Sequence, residues 1–173
     1  MTRGFAKGAV QVIDIDEFRA GKFKEDRLGY ALRGENPTQL ARMNSGFVFL
    51  GDAQFLPGWC ILAAYPKVFE LNSLSFEQRN DFLADMQLLG EAIAQVTQPV
   101  RMNYSILGNS DNFLHAHVYP RYAWEEPERL RKPAWFYPEE FWRDPAQQLN
   151  ESHIELAQKI QAKLEELRQL YSR

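Results

Sequence analysis

Two of the chain's three histidines fall within Leu114-His115-Ala116-His117-Val118-Tyr119-Pro120-Arg121-Tyr122, two residues apart. Side chains of a β-strand alternate between its faces, so residues i and i+2 project together. As a strand, this stretch turns His115 and His117 to one face and Leu114, Ala116 and Val118 to the other. That is the pattern of a strand with one face to bury and an opposite face carrying imidazoles. Upstream, Leu107-Gly108-Asn109-Ser110-Asp111-Asn112 is dense in turn residues, and another strand run occupies residues 100–107. Residues 100–121 therefore predict a β-hairpin with both histidines near the start of its second arm.

Paired imidazoles permit three readings. They titrate near neutral pH, so they serve as nucleophile, acid or base. They also bind metals, but His-x-His supplies two ligands where zinc needs a third and a fourth. The remaining histidine, His153, reads as an exposed residue in the first turn of a distant helix, and no HExxH or CxxC spacing is present. The third reading is a pair of hydrogen-bonded structural histidines.

Composition narrows the partners. A chain of 173 residues, 45% of them hydrophobic, suits one domain, or one domain with extensions, around a core of ordinary size. A net charge of −3 argues against binding nucleic acid by bulk charge. The single cysteine, Cys60, sits in an apolar run and reads as a buried small hydrophobe. The chain shows neither a signal-peptide pattern nor an apolar run of membrane-spanning length, which predicts a soluble, reducing, cytoplasmic setting without membrane partners.

Along the chain, Val10–Ile15 suggests a short strand, Asp16-Glu17-Phe18-Arg19 a helical turn limited by Gly21, and Gly29-Tyr30-Ala31-Leu32 an edge strand. Asn36-Pro37-Thr38 is turn chemistry. Phe47-Val48-Phe49-Leu50 and Trp59-Cys60-Ile61-Leu62-Ala63-Ala64-Tyr65 are strand runs close enough to pair antiparallel. Ser75-Phe76-Glu77-Gln78 matches a capping box, and Phe82, Met86, Leu89, Ile93 and Val96 follow as one helical stripe ended by Pro99. Beyond Tyr122, prolines exclude one long helix. Its aromatics, Trp124, Trp135, Phe136, Tyr137, Phe141 and Trp142, read as rings packed on the sheet or as a stacking platform for a base. Ser152-His153-Ile154-Glu155 resembles a second capping box, followed by a helical stripe of Ala157, Ile160, Leu164, Leu167 and Tyr171.

Residues 44–122 resemble the histidine-triad family of nucleotide hydrolases and transferases, especially the branch acting on diadenosine polyphosphates. That branch carries His-φ-His-φ-His-φ-φ-Pro-Arg, where φ is apolar. Here the stretch reads Phe113-Leu114-His115-Ala116-His117-Val118-Tyr119-Pro120-Arg121. The family's nucleophile falls on His115 and the last histidine on His117, while Phe113 replaces the first. Met102-Asn103-Tyr104-Ser105-Ile106-Leu107-Gly108-Asn109 resembles the branch's INY…LGN strand and turn. Leu56-Pro57-Gly58-Trp59 resembles its PGH turn, with Trp59 where many members have histidine.

The resemblance implies cleavage of a nucleotide or dinucleoside polyphosphate at the α-phosphate through a nucleotidyl-histidine. It implies no metal and no cofactor. His115 would attack and His117 would assist the leaving group. Asn109 would serve phosphate or ribose, and Asp52 the ribose hydroxyls unless it is a plain turn residue. Arg121 would make either a phosphate contact or a structural ion pair. A homodimer is a further implication. The two departures leave a non-catalytic nucleotide-binding module as the alternative, with a metal-dependent hydrolase behind it. The expected fold is α+β: an antiparallel sheet of about five strands with a packed helix. It is divided into an N-terminal extension (1–43), the core (44–122) and an aromatic, proline-rich segment with a C-terminal helix (123–173).

Overall fold

In the computed structural model, which describes residues 12–171, five strands form one antiparallel sheet. They are β1 (Gln39–Arg42), β2 (Gly46–Leu50), β3 (Cys60–Ala64), β4 (Arg101–Ser105) and β5 (His115–Arg121), in the order β1-β2-β3-β5-β4. The expected hairpin pairs β4 with β5, and β5 also pairs with β3, setting Ala63 opposite His115 and Ile61 opposite His117. The histidine strand is therefore held on both edges.

Alternation then sorts the two faces. Val48, Leu50, Cys60, Leu62, Ala64, Leu114, Ala116 and Val118 point into the main core. Phe47, Phe49, Ala63 and the two histidines belong to the other face, where Ala31 and Leu28 cover part of the sheet. The main core is closed by α3 (Phe76–Thr97) and α6 (Ile154–Leu170), packed together across the first face. Phe82, Leu89 and Ile93 from one helix and Ile160, Leu164 and Leu167 from the other are buried there. Each such side chain contributes about 1.5–3 kcal/mol of transfer free energy. The capping box at Ser75 forms as expected: its hydroxyl accepts from Gln78 N–H at 3.2 Å and Gln78 Oε1 accepts from Ser75 N–H at 3.1 Å. Gln98, left-handed at φ 49°, ends α3 one residue before Pro99.

The N-terminal expectations divide. Of Val10–Ile15, residues 10 and 11 lie outside the described residues, and the remainder is no strand. Asp14 accepts from Glu17 N–H at 3.0 Å and caps α1 (Ile15–Ala20), so a local side-chain bond outweighs the alternating apolar pattern. Gly21, at φ 73°, ends α1. The edge strand read at residues 29–32 is instead α2 (Arg27–Arg33), capped by Asp26, which accepts from Gly29 N–H at 2.9 Å. The edge strand on this side of the sheet is β1, immediately after the turn at residues 36–38, and β4 forms the other edge.

Beyond the sheet, the aromatic segment makes only short helices, α4 (Pro127–Leu130) and α5 (Glu139–Arg143), with one 3-10 turn between them and two after. Three of its six rings pack on the core: Tyr137 joins Phe55, Leu56, Trp59 and Tyr119 in a second buried cluster, with Phe141 and Trp142 against it, while Trp124, Trp135 and Phe136 stay exposed. The second capping box lies elsewhere than expected. Asn150 accepts from Ser152 N–H at 3.0 Å, and His153 Nδ1 accepts from Asn150 N–H at 3.2 Å. His153 is thus a half-buried cap of a 3-10 turn leading into α6, not an exposed helix residue. Asn competes well for an N-cap, and it displaces Ser152. None of the described helices is long and apolar enough to cross a membrane.

Candidate active site

The histidine face opens into a cleft. Phe49, Ile61, Ala63 and Phe113 give it an apolar floor, Trp59 and Trp142 a wall, and Arg27, Asp52 and Asp111 a polar margin, with His115 and His117 side by side within it. Their rings are 5.1 Å apart between centroids. Phe113 lies 5.0 Å from His115 on one side and Trp135 4.8 Å from His117 on the other, so four rings run in a row along the strand face.

Each histidine makes one hydrogen bond through Nδ1. His115 is 7% exposed, and its Nδ1 lies 2.8 Å from the carbonyl oxygen of Phe113. A carbonyl only accepts, so Nδ1 carries the proton and Nε2 keeps its lone pair. At the half-buried His117, Nδ1 receives the indole Nε1–H of Trp59 at 3.2 Å. Burial first, and then the neighbouring His115, push the His117 pKa down to about 4. Among the described residues, no carboxylate forms a hydrogen bond or ion pair with either ring. Nor do three His, Cys, Asp or Glu side chains come together there in an arrangement fit to hold a metal.

The other candidates separate. Asp52 is at the cleft margin, where it accepts two bonds from Arg27 at 3.0 and 2.7 Å and meets Lys24 Nζ at 3.2 Å. Burial alone would raise its carboxyl, but these partners hold it below its ordinary value. Asn109 is exposed on the β4–β5 loop and does not line the cleft; Asp111, two residues on, does. Gly108, at φ 70°, turns that loop back so that a side chain there would sit 3.6 Å from the Phe113 carbonyl.

Of the two readings of Arg121, the structure forms the ion pair, and no donor is left over for a phosphate contact. It is 2% exposed, and all five of its N–H groups are spent on Glu125, Asn103 and the carbonyls of Arg129 and Lys132. Glu125 also receives the Tyr137 hydroxyl at 2.6 Å, so this network anchors the aromatic segment to the end of β5. Burial pushes the Cys60 thiol up, and it stays a core side chain.

Sequence reading gives no part to Arg27 or Lys24. It names Trp59 only as standing where relatives of the resembled family have histidine, and Trp142 only among rings read as packing or as a stacking platform. For Trp59 a signal existed. It is two residues before Ile61 and four before Ala63, the positions that face the histidines in register, so strand parity aims it at the same cleft. Arg27 and Lys24 gave no signal, because a mixed-charge run ahead of the sheet reads as a solvated face.

No protein-family model matches the chain, and no curated relative is found by sequence. Solved structures do match. A histidine-triad protein from Bradyrhizobium japonicum aligns at 17% identity over 73% of this chain and 89% of that one, with a TM-score of 0.61. A histidine-triad protein from Marinobacter aquaeolei aligns at 25% identity over 76% and 88%, with a TM-score of 0.55. The diadenosine triphosphate hydrolase of Plasmodium falciparum aligns at 14% identity over 77% of each chain, with a TM-score of 0.51.

Proposed function

Since the chain has the histidine-triad fold, we propose that it is a nucleotide hydrolase or nucleotidyl transferase that cleaves at the α-phosphate through a nucleotidyl-His115 intermediate. One observation carries this reading. The Phe113 carbonyl holds the proton on His115 Nδ1, which leaves Nε2 with a free lone pair at a cleft lined mostly by apolar and aromatic side chains.

In the first step Nε2 attacks the α-phosphorus. A P–N bond forms as the bond to the leaving group breaks, and that electron pair departs with the leaving group. The imidazole becomes cationic, and its Nδ1–H bond to the carbonyl strengthens accordingly. Water then attacks phosphorus, the P–N electron pair returns to Nε2, and a nucleoside monophosphate is released with the water's proton passing to solvent. The covalent route divides one difficult displacement into two easier ones. His117 supplies the hydrogen bond to the charge that develops on the phosphoryl or leaving-group oxygen. Asp52 has acceptor sites for about four bonds, and Arg27 and Lys24 take three of them, so one is left for a ribose hydroxyl. Asn109 lies on the β4–β5 loop outside the cleft lining, and a part for it in holding phosphate or ribose is a proposal that its Asn109→Ala variant tests through KM.

The test is chemical trapping. Mixed with substrate labelled at the α-phosphate and quenched at neutral pH, the wild type should carry label on His115. His115→Ala should carry none and lose at least about a thousandfold in kcat, roughly 4 kcal/mol of barrier. Activity within about tenfold of wild type would remove His115 from the mechanism. A second reading, a nucleotide-binding module without turnover, is favoured by Phe113 standing where the family motif has its first histidine. Saturable binding of diadenosine tetraphosphate without products would establish that reading instead.

A further inference from the structure

The bond from Trp59 to His117 restricts which leaving groups the site can release. Indole Nε1–H donates and cannot accept, so His117 Nδ1 must present its lone pair, and the single ring proton must reside on Nε2. Trp59 is 3% exposed and its ring is stacked on Tyr119 at 4.2 Å, so it cannot turn away to let another group occupy that nitrogen. Protonating Nδ1 would set two N–H groups against each other and orphan a buried indole donor, an arrangement with a large desolvation cost. The groups facing His117 offer nothing to hold a second proton. These are His115 on its own strand, Ile61 and Trp59 from the β3 side, Ser105 from β4 and Trp135 from the aromatic segment. The depressed pKa of His117 agrees with that geometry.

We propose that Trp59 is a positioning residue that locks His117 as a neutral Nε2–H donor, and that the site is thereby selective for phosphoanhydrides over alkylamine phosphoramidates. The inference rests on the nucleotidyl-histidine reading above and narrows its substrate class. A neutral imidazole donates a hydrogen bond but does not give up its last proton at neutral pH. When Nε2 of His115 displaces a phosphate or nucleotide, the P–O pair leaves as a stable oxyanion that a hydrogen bond suffices to stabilise. When it displaces an alkylamine, the P–N pair would leave as an amide anion unless a proton is delivered, and His117 so locked has none to deliver. General-acid assistance is typically worth about 10²–10⁴ in rate, which sets the scale of the discrimination.

Two measurements test this on the full chain. The first uses ¹⁵N-labelled histidine in the substrate-free protein. His117 should show a non-protonated Nδ1 and a protonated Nε2, and Trp59→Phe should move the proton partly to Nδ1. The second compares kcat/KM for diadenosine tetraphosphate with that for an adenosine 5′-phosphoramidate of a simple alkylamine. The wild type should favour the anhydride by about a hundredfold or more. Trp59→Phe should lose about tenfold in kcat on the anhydride, with KM changed less than about twofold. A protonated Nδ1 in the wild type overturns the proposal, even if the variant fails to fold. So does equal turnover of the two substrates, or a Trp59→Phe protein with unchanged tautomer and rate. Turnover of neither substrate refutes the nucleotidyl-histidine reading and the selectivity with it, and the spectrum alone then decides the positioning role of Trp59.

Discussion

The two faces of the sheet are built from different kinds of information. On the helix face, residues of period 2 from β2, β3 and β5 meet residues of period 3.6 from α3 and α6, and nearly every side chain is apolar and buried. On the histidine face, the cleft draws Arg27 and Asp52, Trp59, the two histidines and Trp142 from separate parts of the chain. The first face is redundant: many equivalent contacts exclude water, and the loss of one is a loss of area and packing. The second is a set of single-copy roles, in which one carbonyl sets one tautomer and one indole sets another. Stability should therefore be concentrated on one face and chemistry on the other. Arg121, on the second face by parity, is the exception that sharpens the rule.

The largest effect expected on stability tests that exception. Arg121→Met leaves Glu125 buried beside Tyr137 without its counter-charge, and removing one partner of a buried pair costs about 3–5 kcal/mol. Leu89→Ala, in the middle of the helix face, should cost about 2–5 kcal/mol through lost transfer energy and the cavity it leaves. Urea unfolding of both variants, with activity per folded molecule measured in parallel, distinguishes structure from chemistry. If Arg121→Met is stable but impaired in nucleotide binding, Arg121 belongs to the site after all.

The difference between the faces also explains what the sequence disclosed. The Ser75 capping box, the α3 stripe, the β2 and β3 runs and the alternation through His115 and His117 are local patterns, written in neighbouring residues, and each formed where the spacing put it. At residues 29–32 an Asp N-cap followed by a few ordinary residues produced a helix in place of the expected strand. In the N-terminal stretch residues 12–14 carry no regular structure, while the helical turn expected over residues 16–19 forms as α1 behind its Asp14 cap. Those segments are short enough for one side-chain-to-backbone bond to decide them. The parts of the site that stayed illegible are long-range. The Arg27–Asp52 pair spans 25 positions and the Trp59–His117 bond spans 58, and neither partner announces the other. In the sequence Arg121 is open between a phosphate contact and a structural ion pair because its motif neighbours carry the chemistry. Only the placement of Glu125 and of two carbonyls from the aromatic segment shows that its donors are already spent.

A second expected effect, of about 2 kcal/mol, reads the histidine face through pH. His117 is depressed to about 4 in the folded chain, below the ordinary imidazole value near 6.5. As pH falls from about 7 to about 5, the unfolded chain takes up a proton at this position that the folded chain refuses, so stability falls. His153 is also lowered by burial and adds to the same trend. His117→Gln should remove most of the His117 share. Wild type and variant, unfolded in urea at the two pH values, should differ in pH dependence by about 2 kcal/mol. Equal pH dependence would mean that His117 accepts a proton readily in the fold, against both its burial and its bond to Trp59.

The smallest expected effect concerns Phe113, which stands where the family motif places a histidine. Its ring is half-buried, 5.0 Å from the ring of His115, with Lys67 Nζ 5.0 Å over its face. The contribution of residue 113 to the tautomer of His115 comes from its backbone carbonyl, which any side chain leaves in place. Phe113→His should therefore fold, lose about 0.5–1 kcal/mol with the cation–π contact, and keep kcat within about threefold of wild type. A loss of more than about tenfold in a well-folded protein would show that the ring itself is required beside the nucleophile. The histidine face would then share the helix face's dependence on apolar packing, and the division between the two would fail at the residue next to the proposed chemistry.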